Sequence, residues 1–204
     1  MKEGASRPAR AGAPTLAERA ARYKLYGMSR TLLALMVPEA EPLIGDLRAR
    51  LDPAAKLGLG AHITLVYPFL DSERITPAVT DRLRTVAAAR RPLAFRLDAV
   101  RMFPSTVWLA PSPAAAIGSL AAALQLAFPE RPRRDREFPE YVPHVSVARD
   151  VRRDRDAIAA VVEERLHASG PVSCLARQVY VMERAVEGWT ERLVVNLGGA
   201  PEVA

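Results

Sequence analysis

A single cysteine in 204 residues excludes an internal disulfide and any metal centre built on paired thiolates. Cys174 stands among apolar residues, where a lone thiol acts as a small buried hydrophobe. No apolar run reaches the roughly 20 residues that a membrane-crossing helix needs. The first residues also lack the short apolar stretch of a secretory signal, so a cytoplasmic location and no membrane partner are expected. There is no phosphate-cradling glycine loop, no nucleophile elbow and no cysteine-histidine pair. Histidine is scarce as well, with three copies, His62, His144 and His167.

What is present is ordinary for a globular chain: half the residues are hydrophobic and a quarter are charged. The formal charge of +6 suggests a nucleic-acid partner, but it is unevenly placed. Residues 1 to 27 carry Lys2, Arg7, Arg10, Arg19, Arg22 and Lys24 against Glu3 and Glu18, which leaves the body nearly neutral. Bulk duplex binding is therefore not expected; recognition should be local, at one phosphate and one base. The first 27 residues read as a basic mobile arm, and residues 28–204 as one bilobal domain with interleaved lobes.

Within that domain the element order repeats. Thr31 to Val37 reads as a strand, Glu39 to Leu51 as a helix, and the segment from His62 as a second strand entered through Gly58 and Gly60. Ile75 to Arg90 has helical spacing with Thr76-Pro77 as cap and first-turn proline. Leu93 to Phe103 alternates as a half-buried strand and returns through Val107-Trp108-Leu109. The order then starts again: a helix from about Pro113 to Ala127, a strand near Val142 to Val147, a helix from Asp154 to Leu166, a long strand from Val172 to Met182 and a last strand from Leu193 to Leu197. The expected class is a duplicated α+β fold whose pseudo-two-fold axis brings the two matching strands to a central cleft. The loop Pro129 to Pro143 mixes four arginines with four acids and reads as a solvated surface loop whose length would also permit a lid.

The matching strands carry the chemistry. His62-Ile63-Thr64-Leu65 and His144-Val145-Ser146-Val147 share one pattern: histidine, β-branched apolar, hydroxyl, apolar. Alternation in a strand puts His62 with Thr64, and His144 with Ser146, on one face, with the apolar residues opposite. One such tetrapeptide means little, since a lone strand histidine is more often structural. Two copies at the same place in a repeated order make coincidence the weaker account. Together they offer a base, an acid and hydrogen-bond donors for an anion, which suits metal-free phosphodiester chemistry. A zinc site from the three histidines lacks supporting spacing and would leave both hydroxyls unused, so no metal and no cofactor are expected.

The pair resembles the signature of the 2H phosphoesterase superfamily, the 2′-5′ RNA ligase and cyclic phosphodiesterase group, over roughly Thr31 to Leu197, with Pro143 before the second histidine adding to the match. The resemblance implies a bilobal fold of two antiparallel-rich sheets around a central cleft with helices outside, acting as a monomer on RNA ends or small nucleotide phosphodiesters. It implies hydrolysis of 2′,3′-cyclic or 2′-5′ bonds, with His62, Thr64, His144 and Ser146 as the catalytic set; which histidine is base and which acid is left open. Arg149 is a candidate phosphate contact. Tyr67 and Phe69 follow the first motif, where similar proteins place an aromatic against the nucleobase; strand parity turns Tyr67 toward the core, and Phe69 is less constrained. Trp108 and Trp189 read as packing residues, and His167 as a helix-end side chain. The competing readings are an RNA-end binding module with little turnover, and a ligase.

Overall fold

The computed structural model describes residues 30–130 and 140–198. The basic arm and most of the arginine-rich loop lie outside them. Eight strands and four α-helices run among these residues in the order β1 (Arg30–Met36), α1 (Glu41–Leu51), β2 (His62–Val66), α2 (Pro77–Ala88), β3 (Leu93–Phe103), β4 (Thr106–Ser112), α3 (Ala115–Ala127), β5 (Val145–Arg149), α4 (Arg155–Ser169), β6 (Val172–Ala176), β7 (Gln178–Arg184) and β8 (Trp189–Asn196).

Local chemistry accounts for most of these boundaries. Thr76 caps α2 by accepting from the Val79 N–H at 3.4 Å, with Pro77 in the first turn where its missing N–H costs nothing. Gly58 sits at φ 83°, a left-handed turn that favours glycine, and leads the chain from α1 into β2. Strand β3 keeps Leu93, Phe95 and Leu97 buried and Ala94, Arg96 and Asp98 exposed, as a strand with one solvated face must. Strand β1 is buried on both faces from Thr31 to Leu35, because the main core covers Leu33 and Leu35 on one face while Leu59 and Met182 cover Leu32 and Ala34 on the other.

All strand pairs are antiparallel, in the order β6-β3-β4-β5-β2-β1-β7-β8. The sheet divides into two four-stranded halves, and a single residue pair, Ile63 with Val145, joins β2 to β5 between them. The expected long strand from Val172 to Met182 is two strands: β6 ends at Ala176 on the β3 edge, and β7 begins at Gln178 beside β1. One residue, Arg177, links them, and one residue spans only about 3.5 Å. The sheet must therefore curl until its two halves meet at both ends. Burial changes phase at the join, from Cys174 and Ala176 to Val179 and Val181, with neither Arg177 nor Gln178 buried between them.

The helices lock the halves together. Helix α1, which follows β1, packs on β5 of the other half, and α3, which follows β4, packs on β2. One large core under the helices takes Leu33 and Leu35 from β1, Ile63 and Leu65 from β2, and Val145 and Val147 from β5. On the opposite face of β1, Leu32 and Ala34 join Leu59 and Met182 in a second, smaller cluster. That face holds the cleft.

Candidate active site

The cleft is a cavity of about 470 Å³, lined by His62, Thr64, His144, Ser146 and Arg149 among others. The strand alternation expected from the sequence holds here: Ile63 and Val145 are fully buried in the core, while the histidines and hydroxyls are half-buried at the cavity. The antiparallel pair Ile63 with Val145 sets His62 opposite Ser146 and Thr64 opposite His144. Each histidine thus faces the other motif's hydroxyl. His144 itself lies just before β5 rather than within a strand from Val142, since Pro143 has no N–H for the ladder. Tyr141 ties this segment to β2 by donating its hydroxyl to the Thr64 carbonyl at 2.9 Å.

The two imidazoles are held in the same way. His62 Nδ1 lies 2.8 Å from the Gly60 carbonyl, and His144 Nδ1 lies 2.8 Å from the Val142 carbonyl. A carbonyl only accepts, so Nδ1 carries the proton in both rings and Nε2 carries the basic lone pair of the neutral form.

Their surroundings differ. Burial, with the Arg48 and His144 charges adding to it, pushes His62 down to about 4 despite the Gly60 hydrogen bond and the Asp52 carboxylate, which act the other way. His62 is therefore neutral near pH 7. His144 packs instead against aromatic rings, edge-to-face with Phe103 at 5.2 Å and beside Trp108 at 5.6 Å.

Of the remaining candidates, Arg149 is exposed at the cavity, at the end of β5. Tyr67 also lines it, contrary to the parity argument: the strand ends at Val66, so alternation no longer governs the next residue. Phe69 does not. It is fully buried in the main core, edge-to-face with Phe128 at 5.0 Å, and the expectation of a substrate contact there fails because Pro68 turns the chain inward. Trp189, read as a packing residue, lines the cavity beside Tyr67, their ring centroids 6.5 Å apart. Trp108 is the packing residue it was expected to be, buried on β4 against His144. His167 lies in the last turn of α4, and Cys174 is buried, which raises its thiol to about 12.

Three contributors to the site have no signature in the motifs: Tyr141, Phe103 and Arg48. The first two could not be found without knowing that β3 and the segment before β5 flank the cleft. Arg48 had a signal. Glu41, Arg48 and Asp52 recur on the same helical face as Leu43, Ile44, Leu47 and Leu51, and charges on an apolar stripe call for buried partners. Among the described residues no helix is long and apolar enough to cross a membrane.

A curled antiparallel sheet with helices on one face and two histidine-hydroxyl motifs in one cleft defines a 2H phosphoesterase. The family model of the 2′-5′ RNA ligase superfamily matches residues 36–188, and the chain belongs to that superfamily. Solved structures agree in fold. Escherichia coli LigT complexed with 3′-AMP superposes with a TM-score of 0.57 at 18% identity, covering 84% of this chain and 99% of LigT. LigT complexed with NADP+ gives 0.54 at 19% over the same shares. The protein TT0787 of Thermus thermophilus gives 0.55 at 16%, covering 83% of this chain and 98% of that one. No curated protein matches the chain.

Proposed function

We propose that this protein is a phosphodiesterase that hydrolyses 2′,3′-cyclic or 2′-5′ phosphodiester bonds of RNA-derived nucleotides, using two histidines and no metal. The observation that supports it most is the matched pair of imidazoles, each fixed through Nδ1 to a carbonyl and both lining one cavity with the two hydroxyls. The nucleotides bound by LigT, 3′-AMP and NADP+, fit the same substrate class.

Such a reaction needs a neutral base and a protonated acid on opposite sides of phosphorus. His62, kept neutral, is the base, which leaves His144 across the cavity as the acid. On a 2′,3′-cyclic phosphate, water bonds to phosphorus as His62 Nε2 takes its proton. The bond from phosphorus to O3′ breaks, and His144 gives its proton to that oxygen, leaving a 2′-phosphate. Exchange with solvent then resets both rings. Thr64 and Ser146 donate to the nonbridging oxygens, where charge builds. Arg149 holds the phosphate, and Tyr67 takes the base at the apolar end of the cavity, with Trp189 beside it.

The test is turnover of nucleoside 2′,3′-cyclic phosphates in excess EDTA by the parent protein and by His62→Ala and His144→Ala. Turnover by the parent that both variants lose is the expected result. Binding without product would favour an RNA-end binding module, and activity lost on chelation would replace the two-histidine mechanism with a metal site.

A further inference from the structure

The weakest seam of the sheet runs through the site. Strands β2 and β5 share one residue pair, so the backbone ladder cannot by itself fix how far apart the two motifs stand. A side chain behind them spans the gap. Arg48 of α1 is 2% exposed, and its guanidinium donates Nε to the Ser146 carbonyl at 3.1 Å, one terminal nitrogen to both the Leu59 carbonyl and Asp52 at 3.0 Å, and the other to Glu41 at 2.8 Å. Glu41 in turn accepts the Ala61 N–H, immediately before His62. One planar cation thus grips the second motif directly, and the first through Leu59 on one side and Glu41 on the other.

The surroundings are shaped for it. Asp52 is fully buried and also caps the Ala54 N–H at 3.0 Å. Gly45 sits inside α1, where glycine lowers helix stability. A Cβ there would come within 2.7 Å of the Glu41 carboxylate, so the glycine makes room for the acid to fold back toward Ala61. A buried ion pair of this kind is a poor source of stability, because desolvating the charges offsets their attraction. Its geometry is the better explanation: five rigid donors in a fixed fork set the positions of the groups that accept from them.

We propose that Arg48 is a positioning residue of the two-histidine site, its guanidinium setting the spacing between the motif strands and hence the alignment of His62, His144 and Ser146 about one phosphorus atom. The role rests on the phosphodiesterase reading for its effect on rate, and on the fold alone for its effect on geometry. The charged or titratable groups around His62 are Arg48 and Asp52 from α1 and its end, Glu41 through Ala61, and His144 across the cleft.

Three variants test it, with thermal unfolding, kcat and KM on a nucleoside 2′,3′-cyclic phosphate, and imidazole resonances followed by NMR. Arg48→Lys keeps the charge and loses the fork. Arg48→Met with Asp52→Asn removes both charges and keeps an acceptor for the Ala54 N–H. Glu41→Ala, at a partly exposed first-turn position, keeps the test open if the buried changes unfold the protein. Arg48→Lys should lower kcat by about 10²-fold with little change in KM, since a small misplacement of reacting groups has that effect. The double variant should do the same, and Glu41→Ala less. In each, the ring signals of His144 should move. Folded variants with parental kcat and unmoved His144 signals would overturn the proposal. A parent that turns over no cyclic phosphate would instead sink the phosphodiesterase reading, and the NMR result would still decide the role of Arg48.

Discussion

His62 and His144 are copies of one motif, tied by the same Nδ1 hydrogen bond and set opposite each other's hydroxyl, yet behind them the protein differs. His62 is backed by a buried cation and its carboxylates; His144 is backed by two aromatic rings. In the proposed reaction acid and base must differ in proton occupancy at the same pH, which a symmetric motif by itself does not supply. The asymmetry comes from packing outside the motifs, where the two halves of the fold are not alike.

The largest expected effects test that asymmetry directly. His62→Gln and His144→Gln should each lower kcat by about 10²–10⁴-fold, the usual contribution of one positioned proton donor or acceptor. Their pH profiles should not match. In the parent, activity should fall on the acid side only as pH drops through about 4, where His62 gains its proton. His144→Gln should keep that acid limb in its residual rate, and His62→Gln should lose it. The opposite pattern would exchange the two roles. Thr64→Val and Ser146→Ala should each cost about 10²–10³-fold in kcat, as loss of one donor to a developing oxyanion does. Similar losses would support a phosphate held symmetrically, and a large disparity would show the phosphate held mainly by one motif.

Stability should carry the same signature. His62 lies at about 4 folded against 6.5 unfolded, so between those values the unfolded chain binds more protons. Its contribution is complete above pH 6.5 and is lost as pH falls toward 4, by about 3 kcal/mol over that window. Urea unfolding at pH 7 and pH 4 measures it, and His62→Gln should remove this part of the pH dependence. The smallest effect belongs to an exposed pair outside the cleft. Arg165 of α4 donates to both oxygens of Asp46 on α1, at 2.6 and 3.0 Å, and holds its carboxyl down to about 2. With Asp46 more than half exposed, solvent screens the pair, and Arg165→Ala should cost about 1 kcal/mol or less and leave kcat unchanged.

Much of this was legible in the chain. The helix on Thr76-Pro77, the β3–β4 hairpin and the inward and outward faces of both motif strands follow from cap chemistry and alternation, which act over a few residues. What failed, failed where a contact was distant. Phe69 is core because Phe128, far along the chain, meets it there. Trp189 reaches the cavity because β8 pairs with β7 and puts its first residue beside Tyr67. The strand from Val172 divides because its two ends pair with different halves of the sheet.

By itself the sequence determined the elements, the two histidine-hydroxyl pairs and which face of each strand they occupy, since those depend on local geometry and a period of two. Only the tertiary structure decided that the pairs share one cavity, that Arg48 braces both from behind and that burial holds His62 neutral. These are matters of burial and distance between residues remote in the chain, and a proton's affinity for an imidazole is set by them.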